Sequence, residues 1–240
     1  MFNTSLSINF ISLTKFPMII SKVFLLLKTP YTISVNKALS LSLSSTSFNS
    51  FERIIFEYLD YKYFRDNYGL PDLSGKTDEQ IKAIRKFLNV ATLKVLSRRD
   101  MSVSFRNATE SLTESSIIKA NTMVQIATNK ALKTEAPKFN KKKFQDAVKY
   151  ALTLTRNHEE FYTLIRKAFM EAGVIFVILP NIEGSKTNGA TKKIGDNIML
   201  MVNDRKLNAD SFWFTLFHEI GHIINGDYGI TFENEHAGQE

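Results

Sequence analysis

Cysteine is absent from this chain of 240 residues, which excludes a disulfide framework and every cysteine-ligated zinc finger. Any metal must then be held by histidine nitrogen and carboxylate oxygen. Histidine is itself scarce, with four in all: His158, His218, His222 and His236. Residues 1–50 contain no Asp, Glu or Arg and only four lysines. The formal charge of +7 for the whole chain therefore reduces to 27 basic against 24 acidic residues over 51–240. A body so nearly balanced gives no electrostatic case for nucleic-acid binding. Long apolar runs are missing as well. The run over 17–27 is interrupted by Lys22 and is too short to span a bilayer. It also lacks the uninterrupted apolar core, ended by small residues, of a secretory signal. No membrane partner is expected, and a cytoplasmic location is the simplest reading of a cysteine-free chain.

What is present divides the chain into three. Residues 1–50, with eleven serines and no sustained hydrophobic period, form an unassigned Ser-rich, acid-free segment, disordered or degenerate. From Phe51 the texture changes to a helical region over 51–139. FERIIFEYLDYKYF places apolar and aromatic residues at helical spacing. Thr77-Asp78-Glu79-Gln80 reads as a capping box opening a helix that runs to about Leu96, with Ile81, Ile84, Phe87 and Leu88 inside. A polar connection over 97–113 leads to a helix over 117–132. The proline and charge run of 133–143 reads as a linker.

The third region spans 140–240. Asn140 is placed to cap a helix that buries Phe144, Ala147, Val148 and Ala151. Asn157 is placed to cap the next, with Glu159 and Glu160 in its first turn and His158 on its surface. Gly173 ends that helix and 174–179 (VIFVIL) is a buried strand. A loop is expected over 180–193, then a turn at Gly195-Asp196-Asn197 and a second strand over 198–202. The fold class expected is α+β, a helical N-terminal region followed by a small domain with a short sheet.

The chemistry lies in 210–225, DSFWFTLFHEIGHIIN, which contains His218-Glu219-Ile220-Gly221-His222, an HExxH motif. Residues four apart share one face of a helix. His218 and His222 can therefore aim two imidazole nitrogens at one Zn²⁺, while Glu219 reaches a water on it. Water on zinc loses a proton far more readily than bulk water, and a neighbouring carboxylate can accept it. Asp210 or Ser211 can cap this helix. Trp213, Phe214, Leu216, Phe217, Ile220, Ile223 and Ile224 make it apolar nearly all round, as a core helix should be. The strand over 198–202 is the candidate sheet edge on which an extended substrate peptide could pair beside the metal.

The order GVIFVILP, NGATKKIGDNIMLMV, FWFTLFHEIGHIING resembles the ImmA/IrrE-like metallopeptidase domain, in the variant fused to HigA-type antitoxin regulators. The resemblance covers about 174–226 and extends more weakly back to about residue 76. It implies a small gluzincin-type fold, zinc as cofactor, His218 and His222 as metal ligands and Glu219 as general base. It further implies cytoplasmic action on a protein substrate, a repressor or toxin. The family's third ligand is a glutamate from a segment resembling E-x-E-A-x-x-F-A. Here the chain ends 18 residues past His222, and its tail supplies Glu233, Glu235 and Glu240 as candidates, with His236 between them. The expectation is a domain incomplete at its C-terminus. No helix-turn-helix is readable before Phe51, so DNA binding is not carried over. Two functions follow: a zinc-dependent peptidase acting on a regulatory protein, or a non-catalytic antitoxin-like regulator or inactive fragment of one.

Overall fold

The computed structural model describes residues 50–98, 104–106, 112–156, 160–204 and 209–232. The readings made for residues 1–49, Asn157, His158, Glu159, Glu233, Glu235, His236 and Glu240 lie outside the described residues. The architecture is α+β, as the sequence led us to expect, and its sheet is mixed.

The aliphatic run VIFVIL forms strand β2 (Val174–Leu179), buried on both sides. Its partner is β4 (Asn197–Asn203), parallel to it, with Val174 opposite Ile198. A strand buried on both faces should read as a continuous apolar run, and these two do. Between them in sequence lies β3 (Thr187–Ile194), which the composition of 180–193 had suggested to be loop. Thr187, Gly189, Thr191, Lys192 and Lys193 give it no apolar period. Cross-strand pairing to β4 on one side and to β5 (Gly229–Phe232) on the other makes it a strand. A short β1 (Ser104–Arg106), inside the expected polar connection, pairs parallel with β5. The strand order is β1-β5-β3-β4-β2. This corrects the assignment of 198–202 as a sheet edge: β4 is interior, and β1 and β2 are the outer strands.

Even-numbered residues of β2 and β4 share one face and odd-numbered ones the other, because side chains alternate along a strand. Val174, Phe176, Ile198, Leu200 and Val202 join a core with Phe144, Ala147 and Ala151 of α5 (Lys141–Thr153) and with Ile165 and Phe169 of α6 (Phe161–Glu171). The same core takes in Trp213, Leu216, Ile220 and Ile223 of α7 (Ala209–Asn225). The long α4 (Glu114–Leu132), none of whose residues enters that cluster, packs against β2, β3 and β4 and covers the opposite face.

Several helix ends differ from expectation for local reasons. The aromatic stretch after Phe51 is two helices, α1 (Ser50–Glu57) and α2 (Tyr61–Tyr68), because the Asp60 side chain accepts from Lys62 N and starts the second. The next, α3 (Thr77–Leu88), stops at Asn89, whose left-handed φ of 54° closes it; a 3₁₀ turn (Leu93–Ser97) follows. Thr77 is already helical, so the capping box is not made, and Gln80 Nε2 instead donates to Leu73 O. Asn140 caps α5 as expected, accepting from Lys143 N at 2.9 Å.

The linker expected over 133–143 is tied to the sheet. Phe139 N donates to Asp196 O and Asn140 N to Ala172 O, both at 2.9 Å. Gly173 allows this closure: its φ is 82°, and a Cβ there would stand 2.5 Å from Phe139 N. The described residues belong to one compact unit. Among the described residues, no helix is long and apolar enough to cross a membrane.

Candidate metal centre

Helix α7 is anchored by Trp213, Leu216, Ile220 and Ile223, which are buried at helical spacing. The helix begins at Ala209, so Asp210 and Ser211 lie within its first turn and are not its cap. It is also less uniformly buried than its composition suggests. Phe214 is 74% exposed, and it shares a flank with His218 and His222 at four-residue spacing. Its ring stacks on the His218 imidazole with centroids 6.3 Å apart and planes 22° from parallel.

On that flank His218 Nε2 and His222 Nε2 lie 3.0 Å apart, with ring planes at 78°. Two nitrogens bound to one tetrahedral zinc at about 2.0–2.1 Å stand about 3.3 Å from each other. The observed pair therefore needs only a small opening to serve as a metal-binding couple.

The end of the same helix supplies a third polar group. Gly226, at φ 73°, donates to Ile223 O at 3.1 Å, and Asp227 N donates to His222 O at 2.9 Å. This pair of bonds is a Schellman closure, which fixes the residue after the glycine beside the last full turn. Asp227 Oδ2 thereby comes to 3.1 Å from His222 Nδ1. A carboxylate only accepts, so the contact is satisfied by the Nδ1–H tautomer, which leaves the Nε2 lone pair facing His218. A carboxylate on the outer nitrogen of a ligating histidine is the usual orienting device at metal sites. The sequence reading missed Asp227, although the helix-ending Asn225-Gly226 pair is the signal that could have located it.

Glu219 points to the other side. It is fully buried, and it lies against β3 at Gly189, where a Cβ would stand 2.7 Å from both Glu219 Cγ and Oε1. Burial of a carboxyl is costly, so the cradle at Gly189 is a specific accommodation of this side chain. Gly189 was also missed, because in sequence it was one glycine of an apparent loop.

Helix α7 thus brings His218 and His222 together on one flank, while Glu219 is held on the β3 side of the same helix. Among the described residues, no group of three or more His, Cys, Asp or Glu side chains is arranged to hold a metal ion. Glu233, Glu235 and Glu240, the candidates for a third ligand, are outside the described residues. Two surface hollows, of about 520 Å³ between α5 and α6 and about 830 Å³ against α1 and α2, are lined by none of the motif residues. No protein-family model, curated protein or solved structure matches this chain.

Proposed function

We propose that this chain is a zinc-dependent metallopeptidase-like protein of the ImmA/IrrE kind, with a gluzincin-like arrangement, acting in the cytoplasm on a peptide bond of a regulatory protein. The observation that carries the reading is the convergence of His218 Nε2 and His222 Nε2 at 3.0 Å on the helix that buries Glu219. The two imidazoles fit a zinc ion in donor type and need only a small opening of their 3.0 Å separation to share it. His218 and His222 would hold it, with a carboxylate after the helix as third ligand. When bound, zinc would polarise a substrate carbonyl and acidify water.

The chain's own residues do the rest. Asp227 orients His222 by accepting from Nδ1. Glu219 takes a proton at its carboxylate and returns it to the leaving amine. The Gly189 cradle keeps that carboxylate from swinging away. β3, the strand against Glu219, is paired on both sides, so the substrate chain would be received by loops around α7 rather than by a free edge there.

The test is Glu219→Gln in zinc-loaded protein, challenged with a degenerate peptide library read by mass spectrometry. The reading predicts cleavage by wild type, its loss in the variant, and zinc retained in both. Loss of zinc in the variant, or cleavage by it, would refute the role of Glu219. The alternative is a non-catalytic regulator, in which α7 and its histidines serve packing or partner binding alone. It predicts partner binding that is unaffected by Glu219→Gln.

A further inference from the structure

The strand that follows α7 brings another polar group to the sheet face occupied by Glu219. β5 pairs antiparallel with β3 so that Thr231 is opposite Gly189 and Ile230 is opposite Ala190. Residues directly opposite each other project on the same face, with Cβ atoms about 5 Å apart. The face at Gly189 is the one that Glu219 fills. The Thr231 side chain therefore projects toward α7, beside the carboxyl. It is 6% exposed, and its hydroxyl has no hydrogen-bond partner among the described residues. A buried hydroxyl in that state calls for a bound species to satisfy it. The neighbouring register shift between Thr187 and Gly189 is a bulge, a feature enriched beside functional sites because it re-aims side chains.

We propose that Thr231 is a positioning residue of this centre: its hydroxyl and the Glu219 carboxylate share one bound water, which fixes the carboxylate on the β3 side of α7. One water making two hydrogen bonds of about 2.8 Å joins atoms about 4.5 Å apart, of the order of the spacing between opposite side chains on paired strands. The inference rests on the reading of Glu219 as the proton acceptor of the site.

Two variants of the full chain test it. Thr231→Val removes the hydroxyl at nearly constant shape, and Thr231→Ser keeps it. Thermal unfolding in EDTA is compared for wild type, Thr231→Val, Glu219→Gln and the double variant. A shared water makes the Tm shifts of the two single changes non-additive in the double variant, whereas additive shifts overturn the proposal. Cobalt(II) is then titrated as the metal probe. Thr231→Val should leave its affinity unchanged, because the hydroxyl acts on Glu219 and not on a ligand, and Thr231→Ser should keep the coupling to Glu219 that Thr231→Val loses. A Thr231→Val protein that melts higher than wild type, by a shift additive to that of Glu219→Gln, would show that the hydroxyl is merely buried, and would overturn the proposal. Failure of wild type to take up cobalt would instead defeat the metal reading. The unfolding cycle in EDTA would still decide whether Thr231 and Glu219 are coupled.

Discussion

Gly189→Ala separates the packing of the site from its chemistry. The backbone raises no objection to a side chain here, since Gly189 is not among the positive-φ glycines. In a strand, alanine is favoured over glycine by about 0.5–1 kcal/mol. Against this, the new Cβ would lie 2.7 Å from Glu219 Cγ and Oε1 and 2.9 Å from Cδ, where ordinary contact begins at 3.4 Å. The carboxyl must retreat by roughly 0.7 Å, and overpacking of this kind costs about 1–3 kcal/mol. The net expectation is a loss of about 0.5–2 kcal/mol in a urea unfolding experiment. In a Glu219→Ala background the obstructing atoms are gone. The same Gly189→Ala change should then be neutral or should stabilise by up to about 1 kcal/mol. The coupling between the two positions is thus about 1–3 kcal/mol. If Gly189→Ala has the same effect in both backgrounds, Glu219 does not occupy the cradle and the geometry of the site is wrong.

Asp227→Ala should weaken zinc binding by about 10- to 100-fold while helix content stays unchanged by circular dichroism. Unaltered affinity would remove Asp227 from the site. Gly173→Ala should destabilise the fold by more than about 2 kcal/mol, because strain at φ 82° adds to a clash with the Phe139 backbone. Chemical denaturation measures this, and a loss below about 0.5 kcal/mol would contradict the described closure of 133–140 onto the sheet.

How much of this was legible in the sequence depended on what each element answers to. β2 could be read because a strand buried on both faces is apolar throughout, and α5 because Asn140 caps it with its own side chain. The two histidines could be placed on one flank because their four-residue spacing is a property of the helix alone. β3 could not be read. Its composition answers to neighbours that are distant in the chain: Gly189 is small because Glu219 lies over it, and the strand exists because β4 and β5 flank it. For the same reason, the position of β4 inside the sheet was hidden until β3 was seen as a strand. The end of α3 turned on a single left-handed asparagine, which a hydrophobic period cannot register. Asp227 lay between these cases: a local glycine closure delivers it, yet its importance appears only when His222 is seen beside it.

The most direct test of the account is zinc content and affinity in the purified protein, wild type beside His218→Ala. The proposed centre, with His218, His222 and a carboxylate after the helix as ligands, predicts tightly held zinc at one ion per chain in wild type, lost when the His218–His222 couple is broken. Wild-type protein without zinc, or zinc retained by His218→Ala, would contradict the metal-centre reading.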